Sequence, residues 1–279
     1  SGWAVGYVAA NQIALVVIKN LAKPGSGNVD AYSKAYTFLS LPHGLLAVSI
    51  ATTFVPELAR AAADSNTKEF ARRFISGVRL TALATIPASL GMYVLAKPLV
   101  AMLLQHGNFS AAATVNTARA LAGLALGLAG FSIYLFVLRG FYAHNDTRTP
   151  FFINLFENAL NIIFAILFVN KYDVLGLGLA FSIAYLISAV VALFILQRKT
   201  SEINAPKILL NLLPIALSAA VMAVVVKILS QQIAGDKATA GLQATSQVVV
   251  CVVVGALVYL VMIFALRVRE LRELTGKHD

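Results

Sequence analysis

Eight apolar stretches, each long enough to cross a hydrocarbon core, run through this chain at residues 3–20, 35–56, 78–96, 119–138, 150–169, 174–196, 208–228 and 247–266. A bilayer core about 30 Å thick takes about 20 residues of helix, and each helix must satisfy its own backbone N–H and C=O groups, because no water is there to do so. The chain is therefore expected to be an all-α polytopic membrane protein. Its charge content agrees, since 12% of residues are charged against about 25% in a water-soluble domain. The opening SGWAVGYVAANQIALVVIKN lacks the basic start of a secretory leader. It begins abruptly at an apolar run, as a piece cut from a longer protein would.

An even number of spans puts both ends on one side, and alternate connections then differ in basic content. One side collects Arg60, Lys68, Arg72, Arg73, Arg79, Arg139, Arg148, Arg198, Lys199, Lys207, Arg267, Arg269, Arg272 and Lys277. The other has Lys19, Lys23, Lys34, Lys97, Arg119, Lys171, Lys227 and Lys237. Basic residues concentrate in cytoplasmic connections, so both termini and the stretch RGFYAHNDTRTP (139–150) are expected in the cytoplasm. The net charge of +10 then belongs to lipid headgroups. No basic stretch is interleaved with aromatics as a nucleic-acid groove would require.

Residues 60–77 place Phe70, Phe74 and Ile75 against Lys68, Arg72 and Arg73, a pattern that predicts a short helix lying on the cytoplasmic interface. Residues 97–110 predict an outer-side helix stopped by Gly107. Pro42, Pro87 and Pro214 fall inside spans, where neighbouring helices can re-satisfy a freed carbonyl. Thr149 is expected to cap the fifth span and Pro150 to sit in its first turn. Gly123, Gly127 and Gly130 predict a close helix-packing face. Cys251, inside the last span, is a small packing residue with no partner for a disulfide within the chain.

Polar groups in hydrocarbon are costly, so the few that remain carry the functional information. In the fifth span Asn154, Glu157, Asn158 and Asn161 recur at helical spacing and make one face polar. Glu157 lies roughly 10 Å inside the membrane edge at 1.5 Å per residue. The asparagines alone read as contacts between helices, worth about 0.6 kcal/mol each. The carboxyl beside them favours a wetted cavity, a bound proton or a cation partner. Lys34 either snorkels to the headgroups or offers its charge to a phosphate. His43, between Pro42 and Gly44, is expected to be satisfied by a kinked backbone. Asn11 and Gln12 of the first span are expected to join helices, and Glu57 and Arg60 to form a weak interfacial pair. The four histidines lack metal-ligand spacing, and no phosphate loop or nucleophile elbow is present, so enzyme chemistry is not expected.

RGFYAHNDTRTP resembles the arginine, aromatic-Tyr-Ala, Asp-Thr-Arg-Thr-Pro signature of the MurJ/MviN family of bacterial lipid II flippases. LPHGLLAVSIATTFVPELAR, LLQHGNFS and GLGLAFS are similar to further family motifs in the same order. The resemblance implies fourteen spans in two six-helix lobes plus a final pair, within the MOP transporter superfamily. This chain would hold the seventh to fourteenth: residues 1–200 as a six-helix lobe, 201–266 as a pair forming a groove for a lipid tail, and 267–279 as a cytoplasmic tail. It implies translocation of an undecaprenyl-linked peptidoglycan precursor across the plasma membrane by alternating access. The partners would be lipid II, membrane lipids, the absent first lobe, and regulatory or cell-wall proteins at the cytoplasmic side. Lys34, Arg139, Arg148, Asn154, Glu157, Asn158 and Asn161 would meet the substrate, with neither cofactor nor metal. Thr37 stands where the family has an arginine, and His106 replaces another. Of the positions at which some members bind sodium, Asn161 is kept, while Ile18, Ala165 and Phe181 replace acidic and hydroxyl ligands. Coupling through Glu157 to protons or membrane potential is expected instead. The alternatives are a related polysaccharide-lipid or multidrug transporter, or a non-transporting scaffold for cell-wall synthesis.

Overall fold

The computed structural model describes residues 2–105, 109–234 and 242–266. The elements are α1 (Gly2–Leu21), α2 (Asn28–Pro42), a π-helical turn (His43–Val48), α3 (Ser49–Ala63), α4 (Thr67–Val94), α5 (Ala96–Leu104), α6 (Ala111–Ala125), α7 (Leu128–Ala143), α8 (Arg148–Tyr172), α9 (Val174–Lys199), α10 (Ala205–Ala234) and α11 (Leu242–Ala265). Among the described residues seven helices are long and apolar enough to span a membrane, counting Asn28–Ala63 as one, and α6 with α7 makes an eighth bent by 45°. The eight expected spans are therefore present. The tail 267–279, Lys237, His106 and the Gly107 helix stop lie outside the described residues.

Helix α9 is the axis of the bundle. Glycines on α6 and α7 let it approach closely: a Cβ on Gly123 would lie 2.6 Å from the Leu175 carbonyl oxygen and 2.9 Å from the Gly178 Cα. A Cβ on Gly127 would meet Ser182 at 2.7 Å, and one on Gly130 would meet Leu186 at 2.9 Å. The expected glycine face is thus a helix crossing, and it follows α9 along both arms of the bent span. Ser182 uses the short distance to donate to the Gly123 carbonyl at 2.6 Å. Two apolar clusters pack around this axis, one around Leu39, Leu121, Leu124 and Leu177 and one around Phe74, Tyr134, Phe136 and Phe141, and a third lies at α10–α11.

Residues 67–77 do not form a separate interfacial helix but are the first turns of α4, which runs unbroken to Val94. Phe70 and Phe74 explain the difference: both are buried among protein side chains, Phe74 beside Phe136 and Phe70 beside His144. Their apolar face is therefore spent on the core and not on lipid. Asn66 caps α4 by accepting the Glu69 N–H at 3.0 Å. Glu57 pairs with Arg73 at 3.0 Å, and Arg73 also binds Glu69 at 2.7 Å. The expected pairing of Glu57 with Arg60 is replaced by this tie between α3 and α4.

The α10–α11 hairpin leans on α4 and α5. Tyr259 donates to the Leu83 carbonyl at 2.8 Å, and Gln247 joins the two arms by donating to Ser230. Cys251 is buried against α10, as a packing residue should be. An apolar cavity of about 340 Å³ lies between the hairpin and α4, lined by Pro87, Gly91, Met222 and Tyr259.

The side chain that caps α8 is that of Asp146, not Thr149, and the N-cap position itself is Thr147. The Asp146 carboxylate accepts the Thr149 N–H at 2.9 Å and also binds Lys199 at the end of α9. Pro150 does lie in the first turn. Partial burial pushes the Asp146 carboxyl up, but the bonds from Lys199 and Thr149 outweigh it and hold the group at about 2, against an ordinary 3.8.

Gly123→Ala should destabilise the bundle by about 1–3 kcal/mol through overpacking against α9, read as a lower unfolding temperature in detergent. Gly44→Ala, with open space around it, should change stability little. The depressed Asp146 pKa stabilises the folded chain at pH values above the ordinary carboxylate range, and this is lost as pH falls from roughly 4 towards 2. The acid limb of a stability profile should therefore be shallower in Asp146→Asn than in the wild type.

Candidate functional site

Helix α8 turns the usual soluble pattern inside out. Asn154, Glu157, Asn158 and Asn161 share one face and are all buried, while Phe152, Leu155, Ile163 and Leu167 on the other side are exposed. This setting follows from the solvent: the apolar side chains lose nothing by facing hydrocarbon, and the polar ones must find partners inside the protein. Asn11 of α1 supplies some of them. Its side-chain oxygen accepts from Asn154 and Asn158, each at 2.9 Å, and Asn158 also donates to the Asn154 carbonyl at 3.0 Å. The expected joining role of Asn11 is thus realised on α8.

The remaining polar atoms are unsatisfied. Both Glu157 carboxyl oxygens, the side-chain oxygens of Asn154 and Asn161, and the Tyr134 hydroxyl make no regular hydrogen bond among the described residues. Glu157 is 1% exposed, so its oxygens have little access to bulk water. Tyr185 lies close enough to interact with the carboxyl, and Tyr7, Tyr32, Tyr36 and Tyr134 lie within its electrostatic reach. A cavity of about 360 Å³ between α1, α2, α8 and α9 is lined by Tyr32, Tyr36, Tyr185, Asn11, Asn158 and Asn161 among others. It is the kind of space that accepts water or the polar part of a ligand. These tyrosines escape a sequence reading because they come from separate stretches of the chain, with Tyr32 and Tyr36 one turn apart on α2. The signal available was a tyrosine hydroxyl recurring in several spans, where a buried tyrosine wants a partner for its tip.

The three cations fall in three different places. Lys34 pairs with Asp30 one turn back and lies 4.9 Å over the Phe109 ring, near the start of α2. Arg139 lines a second cavity of about 290 Å³ between α7 and the α2–α3 span, shared with His43 and Ser132. Arg148 stands 5.7 Å from Trp3 and 5.8 Å from Phe152, on the exposed side of α8. Arg139 and Arg148 therefore line different cavities. The chain reverses between α7 and α8, and the polar face of α8 points inward, so a residue beside Phe152 must point out.

His43 is satisfied by a side chain and not by kinked backbone. Its Nδ1 lies 2.9 Å from the Ser132 hydroxyl, and its ring packs on Phe131. Pro42 immediately precedes the π-helical turn, where the wider backbone repeat accommodates its missing N–H. Ile18, Ala165 and Phe181 are buried together in one apolar cluster, so their side chains offer no oxygen to an ion beside Asn161.

Residues 1–240 match the family model described as lipid II flippase MurJ. The probable lipid II flippase MurJ of Borreliella burgdorferi is 30% identical over 187 residues, which covers 67% of this chain and 37% of that protein. The Thermotoga maritima relative with the same description is 25% identical over 97% of this chain and 53% of its own length. A solved structure titled lipid II flippase MurJ, inward closed conformation, superposes with a TM-score of 0.74 at 28% identity, covering 92% of this chain and 51% of that one. The chain thus spans about half or less of the length of the relatives it matches. With the family model matched over residues 1–240 and the fold shared with a solved member, the chain belongs to the MurJ lipid II flippase family.

Proposed function

We propose that this chain is the second lobe of a lipid II flippase of the bacterial plasma membrane, working by alternating access with a first lobe. The family match across residues 1–240 carries this reading. The interior polar face of α8 and its cavity supply the wetted path that a sugar-pyrophosphate headgroup needs, while the apolar groove at α10–α11 suits a polyprenyl tail. Helix α1 and the α2–α3 span leave Val5, Ile13 and Leu45 exposed at 71%, 64% and 74%, a surface suited to lipid and a partner lobe. The surplus of basic residues on one side favours cytoplasmic termini.

Within this reading Arg139 is the leading cation for the pyrophosphate, because it lines a cavity beside the π-helical turn of the α2–α3 span. Lys34, already paired with Asp30, and Arg148, on the outer face, make weaker claims. Asn158 and Asn161 would meet the headgroup from the cavity between α1, α2, α8 and α9, and Asn154 would hold Asn11 in place. Glu157 is the coupling group: a carboxyl with no strong donor is comfortable when neutral and needs water or a cation when ionised. Exchange of its proton would therefore accompany opening of the bundle.

Co-expression of this chain with a first lobe from a family member should restore growth to cells depleted of their flippase, whereas the chain alone should not. If the paired halves reach the membrane and growth still fails, the scaffold reading takes its place. Arg139→Gln should lower transport by about tenfold or more, the loss of one charge-assisted hydrogen bond, with Lys34→Gln costing clearly less. Glu157→Gln should fold normally and give transport that no longer varies with pH. A pH profile identical to the wild type would remove Glu157 from the coupling mechanism.

A further inference from the structure

A third polar cavity lies outside the bundle. It has a volume of about 680 Å³ and opens on the outer side of α8 and α9, at the membrane edge where α8 begins and α9 ends. Its polar end holds Arg148 and Lys199 together with the Asp146 carboxylate, and its walls are Phe152 and Phe156 on one side and Val191 and Ile195 on the other. Phe152 and Phe156 belong to the exposed face of α8. Trp3 stands next to Arg148 and is itself part-exposed, as tryptophans at a membrane boundary commonly are. Arginine on an aromatic face keeps its five donors free at the edge of the plane to bind an oxyanion.

We infer that this cavity binds an anionic glycerophospholipid, with its phosphate on Arg148 and Lys199 and the upper part of an acyl chain between Phe156 and Ile195. Charge complementarity selects the occupant. Two cations stand at the level of the headgroups above an apolar slot that continues into the hydrocarbon. The Asp146 carboxylate, bound to Lys199, cancels one of the two charges and tunes the site to a singly charged phosphate. The site is independent of the flippase reading, since it lies on the opposite side of α8 from Glu157.

The chain carries its own reporter, because Trp3 is its one tryptophan. The protein is reconstituted in phosphatidylcholine vesicles, and phosphatidylglycerol with brominated acyl chains is titrated in while Trp3 fluorescence is followed. Quenching should saturate at a low phosphatidylglycerol fraction, whereas brominated phosphatidylcholine should quench only in proportion to its abundance. Arg148→Gln should raise the half-saturating fraction about fivefold, the worth of one basic residue near a charged membrane surface. Lys199→Gln, which leaves the surroundings of Trp3 intact, should also raise it. Asp146→Asn keeps a capping oxygen and should lower it. Equal quenching by the two lipids, or unshifted curves in both cation variants, would overturn the assignment. So would displacement of the brominated lipid by a polyprenyl pyrophosphate that phosphatidylglycerol cannot reverse, since the occupant would then be a substrate-like lipid.

Discussion

Hydrocarbon offers no partner to a polar side chain, and α8 carries four polar residues on one face. That mismatch fixes the rotation of α8 about its own axis, and much of the lobe follows from the setting. Asn11 must come to meet Asn154 and Asn158, which docks α1. The opposite face must be apolar and outward, which delivers Phe152 and Phe156 to the lipid and carries Arg148 with them. A bundle held only by apolar contacts would lack this preference, because lipid tails are as good a neighbour for leucine as another helix is.

The second determinant is distance. The missing side chains at Gly123, Gly127 and Gly130 let α6 and α7 lie almost backbone to backbone with α9. At that separation dispersion is strong, and hydroxyls reach main-chain carbonyls, as Ser182 does. The bent span stays in contact with α9 along both arms because its glycines recur on either side of the bend. Close packing and polar pairing thus divide the labour: one fixes α9 against α6 and α7, the other fixes α8 against α1.

Much of this architecture can be read from the chain itself, for physical reasons. Span length is set by bilayer thickness, so apolar runs near 20 residues announce themselves. The period of Asn154, Glu157, Asn158 and Asn161 announces a face. What escapes is everything decided by a neighbour remote in sequence. The tyrosines around Glu157 come from four helices and meet only in the folded bundle. Phe70 and Phe74 have the pattern of an interfacial helix but are claimed by Phe136 and His144. Glu57 finds Arg73 instead of the nearer Arg60 because α4 folds back alongside α3. The outward turn of Arg148 depends on the rotation of α8, which the residues of 139–150 do not encode on their own.

The π-helical turn at His43–Val48 changes how the long second span must be counted. An α-helix advances about 100° per residue, and a π turn carries an extra residue within a single loop of backbone. Residues beyond Val48 are therefore about 100° out of phase with those before Pro42, and one continuous helical wheel misassigns the faces of α3. A one-residue deletion in this turn would leave composition and hydropathy almost untouched. It would nonetheless swing α3 round its axis, carrying Glu57 away from Arg73 and the wall residues Thr52 and Val55 out of the cavity they share with Arg139.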